Sequence, residues 1–179
     1  MKRQRVTEVA RILHEEVMVR PFGEFERVLE QSLATYRDFL PGHSERDKVM
    51  DRLHAFCYFL EGLLARAGDS ECAAALAEGI DMVAHHLRDV APEFARSDVF
   101  AQLLRARVYA AWFGAAPLER ACGEWEAAQL ATFQNTDGGY WFGVKAGERL
   151  PFLNPVSTAF AAQALDVWHG DAVPRQFLI

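Results

Sequence analysis

The stretch that decides the fold covers residues 129–168 and reads QLATFQNTDGGYWFGVKAGERLPFLNPVSTAFAAQALDVW. Its DGG at residues 137–139 predicts a turn, because glycine adopts positive φ without steric cost and aspartate can bond its own backbone. Asn154 predicts a helix start as the N-cap residue, followed by Pro155 at the first helical position, where a missing N–H removes no hydrogen bond. The stretch is therefore interpreted as a helix end, a turn, an extended segment and a second helix.

Apolar residues recur at three- and four-residue steps along most of the remaining chain, which is typical of amphipathic helices. Together with the helix after Asn154, about seven helices are predicted, the others over residues 6–18, 22–40, 44–67, 71–89, 98–113 and 117–133. Ser97 is the predicted N-cap of the helix over residues 98–113. Short turns marked by Pro or Gly join nearly all of them and favour antiparallel neighbours. We therefore expect an all-α fold in which residues 1–179 form a single domain of α-hairpins.

The predicted helices alternate between two kinds of surface. Wide charged faces are predicted near residues 25–40, 71–89 and 118–133, and helices without them near residues 49–66, 98–113 and 156–168. A helix that is apolar almost all round is buried almost all round, whereas a charged face indicates contact with water. Outer and inner helices in alternation are what a double ring of α-hairpins requires.

Motifs within the opening stretch resemble those of the (α/α)-toroid superfamily. The matching residues are Gln134, Asp137-Gly138-Gly139-Tyr140-Trp141, Asn154-Pro155-Val156-Ser157-Thr158-Ala159-Phe160 and Gln163-Ala164-Leu165. They are similar to a Q-x-x-DGG-aromatic and N-x-V-S-T-A pattern found in terpenoid cyclases, prenyltransferase β-subunits and six-hairpin carbohydrate enzymes. Closed toroids have more hairpins than this chain supplies. The resemblance thus implies a partial toroid, completed by a missing N-terminal portion, a partner chain or self-association into a homo-oligomer.

Charge and hydropathy argue against several classes of function. The net charge of −6 disfavours nucleic-acid binding, which depends on clustered Lys and Arg that neutralise phosphates. No apolar run approaches the length that spans a bilayer, and no signal-peptide pattern follows the N-terminus, so we expect a cytoplasmic protein without membrane contact. The three cysteines, Cys57, Cys72 and Cys122, are odd in number and widely spaced, which predicts buried thiols. We expect no metal and no cofactor.

Two of the less polar helices carry a line of polar and aromatic residues at steps of three and four. His54, Tyr58 and Glu61 share one line, and the other contains Arg105, Tyr109 and Trp112. If these helices surround a cavity, both lines point into it. Rings beside carboxylates suit a saccharide, whose C–H faces stack on aromatics and whose hydroxyls need donors and acceptors.

The predicted activity is acid/base chemistry on a sugar, either hydrolysis or epimerisation. Glu61 is the candidate general acid, because an apolar setting favours the protonated form of a carboxyl group. Asp137 is the candidate second carboxylate of a glycosidase pair, and His54 is the third catalytic candidate. The residues predicted to bind substrate are Tyr58, Arg105, Tyr109, Trp112, Tyr140 and Trp141.

Each of these residues also has a purely structural interpretation. His54, Tyr58 and Glu61 can hydrogen-bond inside the core, and Asp137 can simply form its turn. Two other functions therefore stay open. The first is a helical scaffold or partner-binding module without catalytic activity. The second is an isoprenoid-binding or cyclase-like protein, although the D-x-D-D acid motif and the zinc ligands of those relatives are missing.

Overall fold

The computed structural model describes residues 20–40 and 46–170, and the side chains from residues 23 and 48 onward within these ranges. The described residues are mostly α-helical, which confirms the all-α class in its coarse form, with a small three-stranded sheet added. The α-helices are α1 (Arg20–Thr35), α2 (Arg46–Leu64), α3 (Ser70–Val90), α4 (Ser97–Trp112), α5 (Arg120–Ala131) and α6 (Pro155–His169). The strands are β1 (Phe94–Arg96), β2 (Gly143–Lys145) and β3 (Glu148–Arg149). None of the described helices has the length and apolar character needed to cross a membrane.

The chain divides into two compact units, residues 1–37 and 38–179. The first unit contains α1, which a short 3-10 helix, Tyr36–Asp38, follows. The α-helix predicted over residues 22–40 therefore ends earlier than expected. The helix predicted over residues 6–18 lies outside the described residues, so the total of about seven stays a prediction, as does the single domain.

In the second unit, α2 and α4 lie side by side and run in the same direction. Contacts between them advance together along both helices. They join Asp51 to Arg96 at the start of α4, His54 to Gln102, and Glu61 to Arg105. Because the residue numbers of the contacts increase along both helices, the two helices run parallel.

The helix α6 lies on the other side of α4 and also runs parallel to it. The N-terminal ends of both helices bond to the same extended segment, since the Ser97 hydroxyl donates to the Trp141 carbonyl and the Tyr140 N–H donates to the Thr158 hydroxyl. Further along, the Arg105 guanidinium donates to the Gln163 side-chain oxygen. The helices α2, α4 and α6 thus form one parallel layer with α4 in the middle.

The helices α3 and α5 return on one side of this layer, where α3 contacts α2 and α4 while α5 contacts α4 and α6. The central helix α4 therefore contacts all four other helices of the unit, and each of its residues 97–107 is buried. Its neighbours α2 and α6 are less enclosed than the sequence predicted. Tyr58 on α2 is 48% exposed and Val156 on α6 is 54% exposed. The physical reason is that their open faces consist of aromatic, aliphatic and small residues, which a polarity pattern assigns to the core.

The sequence predicted N-caps at Asn154 and at Ser97, and the structure confirms the first but not the second. The Asn154 cap is confirmed, because its Oδ1 accepts the N–H groups of Val156 and Ser157 at 2.8 and 3.3 Å. A cap by Ser97 is wrong, since α4 has no side-chain cap and the Ser97 hydroxyl donates to the Trp141 carbonyl oxygen at 2.8 Å. The Ser97 side chain therefore bonds α4 to the extended segment and does not cap the helix.

The predicted turn and extended segment are present between α5 and α6. The Asn135 side-chain oxygen, rather than Asp137, bonds the backbone of the turn, accepting N–H groups from Asp137 and Gly139 at 3.0 and 2.9 Å. The segment then forms β2 and β3, which pair with each other, and β2 also pairs with β1 ahead of α4. At Gly143 a Cβ atom would lie 2.5 Å from the Ala95 carbonyl oxygen, so this approach of β1 and β2 requires glycine.

Candidate functional site

A groove runs between α2 and α6 on the face of the parallel layer. Its volume is about 430 Å³, and its lining residues are Tyr58, Glu61, Pro155, Val156, Ala159 and Phe160. Pockets that bind small molecules typically measure about 300–1,000 Å³ and combine apolar walls with a few polar groups. The groove fits this description, because five of its six lining residues are aromatic, aliphatic or proline and one is a carboxylate.

The two walls of the groove are formed by α2 and α6, the outer helices of the layer. On one side the ring of Tyr58 stands on α2 and remains nearly half exposed. On the other side α6 presents Val156 and Ala159 in its first turns, a position fixed by the Asn154 cap. Phe152 and Leu153 precede this helix and are also exposed, so apolar surface continues beyond the groove itself.

Beneath the walls lies Arg105 of α4, which is 1% exposed. One terminal nitrogen donates to Glu61, the other donates to Gln163, and the guanidinium carbon lies 4.8 Å from the centre of the Phe160 ring. Its Nε has no hydrogen-bond partner among the described residues. Arg105 of α4 therefore connects Glu61 on α2 with Gln163 on α6. It contacts the groove-lining residue Glu61 but is itself buried.

Glu61 is the one carboxylate among the groove-lining set, and 8% of it is exposed. Its Oε1 accepts from Arg105, while its Oε2 accepts no hydrogen bond from the residues that the structure describes. An ion pair with a guanidinium uses the charged form of the carboxyl group, whereas a general acid must carry a proton. This arrangement favours Glu61 as a hydrogen-bond acceptor over Glu61 as an acid.

His54 lies one turn before Tyr58 and is held by α4. Its Nδ1 is 2.9 Å from the Gln102 side-chain oxygen and 3.7 Å from Asp98 Oδ2. Because an amide oxygen only accepts, Nδ1 carries the hydrogen and Nε2 is the free acceptor of the neutral ring. The ring meets Tyr58 edge-on, with 5.0 Å between centres. His54 is thus oriented by two acceptors, but it does not line the groove.

Asp98 itself is committed to Arg96, which forms two hydrogen bonds with it at 3.1 and 2.7 Å and a third with Asp51 at 2.6 Å. Burial alone would lower the pKa of the Arg96 guanidinium, but the bonds and charges of Asp98 and Asp51 raise it. This cluster fixes the N-terminal end of α4 against α2. It also keeps the Asp98 carboxylate in place beside His54.

Four of the aromatic residues predicted to bind substrate, Tyr109, Trp112, Tyr140 and Trp141, do not line the groove. Tyr109 is buried and stacks on Phe113, and Tyr140 is also buried, which raises the pKa of its hydroxyl. Neither ring offers a face for stacking on a ligand. Trp112 is exposed at the end of α4, and Trp141 is half-buried in the extended segment.

Asp137 is exposed on its turn and does not line the groove. The groove therefore brings together Tyr58 and Glu61, with Arg105 beneath them, and leaves the remaining candidates outside it. Within residues 20–40 and 46–170, no three His, Cys, Asp or Glu side chains are grouped so as to hold a metal ion.

Several residues of the site were not identified from the sequence. Pro155, Val156, Ala159 and Phe160 line the groove, but in the sequence they stand out only as part of the N-x-V-S-T-A resemblance. The buried ion pair between Arg107 and Glu126 was missed altogether. Its residues lie on two different predicted helices, and nothing in a one-dimensional pattern joins them.

Comparisons with known proteins found no counterpart for this geometry. No protein-family model matches the chain, and neither a curated protein nor a solved structure is similar to it. The function must therefore be argued from the groove and its surroundings.

Proposed function

We propose that the second unit is a small-molecule binding module whose site is the groove between α2 and α6. Its ligand has a largely apolar body, and no acid/base chemistry passes through Glu61. The proposal takes the absence of catalysis from the scaffold alternative left open by the sequence, and the apolar ligand class from the isoprenoid-binding alternative.

The observation that carries this proposal is the composition of the groove. Tyr58, Val156, Ala159 and Phe160 surround a volume of about 430 Å³, and the single carboxylate is already paired with Arg105. Burial of an apolar ligand against such walls is favourable by about 25 cal/mol per Å² of apolar surface removed from water. A ligand rich in hydroxyl groups would leave several of them without partners here.

A saccharide is the second candidate, and the exposed ring of Tyr58 beside Glu61 favours it. A sugar C–H face stacks on such a ring, and a carboxylate accepts hydrogen bonds from neighbouring hydroxyls. His54 stands one turn away with its Nε2 unprotonated in the neutral ring, as a base requires. Hydrolysis or epimerisation would need this residue to reach the ligand together with Glu61.

We also propose that the second unit is part of an (α/α) toroid. Three parallel helices in one layer, with α3 and α5 returning on one side, are the arrangement that consecutive α-hairpins of such a ring would have. In a closed ring the groove would face the central cavity. A missing segment, a partner chain or a second copy would complete it.

The test uses two tryptophan substitutions on the same helix. Ala159 and Ala162 are both exposed on α6, but only Ala159 lines the groove. Isothermal titration calorimetry would compare geraniol, an apolar alcohol, with methyl β-glucoside and cellobiose. We expect wild type and Ala162→Trp to bind geraniol, and Ala159→Trp to bind it at least roughly tenfold more weakly, because the indole fills the groove.

Circular dichroism spectra of both variants would establish that α6 remains folded. Binding of neither ligand class by the wild-type chain would overturn the proposal. So would equal binding of geraniol by Ala159→Trp and Ala162→Trp. Preferential binding of a saccharide that Ala159→Trp abolishes would establish the second candidate in place of the first.

A further inference from the structure

We infer that the groove selects ligands whose apolar body ends in a neutral hydrogen-bond donor, and that Glu61 Oε2 accepts this hydrogen bond. An alcohol is the simplest group of this kind. The inference rests on the proposed function and specifies the ligand class of the same site.

The first argument is the unused capacity of the Glu61 carboxylate. An ionised carboxylate accepts hydrogen bonds at both oxygens and donates none. Its Oε1 accepts a hydrogen bond from Arg105, whereas its Oε2 receives none from any described residue, and Glu61 lines the groove. The groove thus offers an acceptor without a protein donor.

The second argument concerns the charge of the ligand. Glu61 is already neutralised by Arg105, so an ammonium group would lose its hydration without meeting a free negative charge. A carboxylate ligand would face Glu61, and it could not reach the guanidinium, which is 1% exposed and lies beneath both walls. Of the three groups, an uncharged hydroxyl costs the least free energy to desolvate, and it can still donate a hydrogen bond to Oε2.

The test compares four ligands that share one apolar body and differ in the terminal group. They are geraniol, geranyl methyl ether, geranic acid and geranylamine, titrated against the full chain by calorimetry. Because the ether has no donor, we expect it to bind roughly tenfold to a hundredfold more weakly than the alcohol. The acid and the amine are expected to bind more weakly than the alcohol as well.

A paired substitution removes the acceptor without leaving a buried charge. Replacement of a buried ion pair by apolar residues of similar size is often neutral for stability, so Glu61→Met with Arg105→Met should preserve the fold. In this double variant we expect the alcohol and the ether to bind equally well. Arg107→Met with Glu126→Met is the matched control, because it removes another buried ion pair of α4 that does not line the groove and should keep the preference for the alcohol.

The outcomes separate this inference from the proposed function. Equal binding of alcohol and ether by the wild-type chain would overturn the inference and leave the groove as a binding site. Tightest binding of the acid or the amine would overturn it as well. Persistence of the alcohol preference in Glu61→Met with Arg105→Met would exclude Glu61 as the acceptor. Failure of all four ligands to bind would overturn both proposals.

Discussion

The helix α4 carries two buried arginines, Arg105 and Arg107, each paired with a glutamate of another helix. Two residues apart on an α-helix lie about 200° apart, so the two side chains leave α4 on opposite sides. Arg107 turns toward α5 and meets Glu126, which is fully buried. Arg105 turns toward the groove and meets Glu61, which is not fully buried.

The pairs also differ in how completely their hydrogen bonds are satisfied. Arg107 donates three bonds to Glu126, at 3.2 and 3.0 Å from Nε and 2.7 Å from Nη2. Burial raises the pKa of the Glu126 carboxyl, and the bonds and charge of Arg107 oppose that rise. Glu61, by contrast, keeps one oxygen without a bond from the described residues, and Arg105 keeps its Nε without one. The Arg107–Glu126 pair thus satisfies its own hydrogen bonds, while the Arg105–Glu61 pair lies at the groove and does not.

The largest effect is expected from removing the glutamate charge of the Arg107–Glu126 pair. Glu126→Gln leaves the Arg107 cation buried, with only Glu119 at 3.5 Å as a remaining ionic partner. Loss of one member of a buried pair costs about 3–5 kcal/mol. Urea denaturation should show this decrease in the free energy of unfolding, with a largely unchanged m-value. A cost below that of the Glu61 variant would contradict the distinction between the pairs.

A smaller effect is expected from the same substitution in the Arg105–Glu61 pair. In Glu61→Gln, the Arg105 guanidinium keeps its bond to Gln163 and its position over the Phe160 ring, so the cost should be about 1–3 kcal/mol. Denaturation under the same conditions as for Glu126→Gln measures it.

Cys57, one turn before Glu61, reports locally on this change. Burial is the main reason that the pKa of its thiol is raised, with the Glu61 charge as a further cause, so we expect slow labelling of this thiol in the native protein. Peptide-resolved labelling with a thiol reagent should therefore become faster at Cys57 in Glu61→Gln if α2 loosens. Unchanged labelling together with unchanged stability would mean that the pair contributes nothing to the packing of α2 on α4.

The smallest effect is expected from the second partner of Arg105. Gln163 is half-buried at the edge of α6, so Gln163→Leu removes one hydrogen bond while the ion pair with Glu61 stays in place. A hydrogen bond to a charged group contributes about 1.5–3 kcal/mol, and because Gln163 is only half-buried we expect a cost of about 1.5 kcal/mol or less. The change in unfolding free energy would be measured beside Gln129→Leu on α5 as a control for an exchange of glutamine for leucine. Indistinguishable values would show that Gln163 does not help to hold Arg105.

The fold was predicted from sequence where local features determine it. Periodicity located the helices, and Asn154 with Pro155 marked the start of α6 correctly because a cap depends on neighbouring residues alone. Ser97 failed as a cap because its hydroxyl bonds to Trp141, 44 residues further along the chain. Local reasoning fails where the deciding partner is distant in sequence.

The candidate site shows the same limit. Tyr58 and Glu61 were identified because they interrupt an apolar helix, and the structure brings both to the groove. Glu126, however, looks like an ordinary solvated residue in its helix, and only the position of Arg107 explains its burial. The groove walls on α6 were missed because a sequence does not distinguish apolar residues that line a groove from apolar residues that pack in a core.

The enclosure of α4 also restricts which parts of this unit can adapt to a ligand. A close-packed helix that contacts four others cannot shift without displacing all of them. Its neighbours α2 and α6 are each packed on fewer sides, and both have open faces. If the proposed groove binds ligands of different width, we therefore expect α2 and α6 to move outward by small amounts while α4 stays in place.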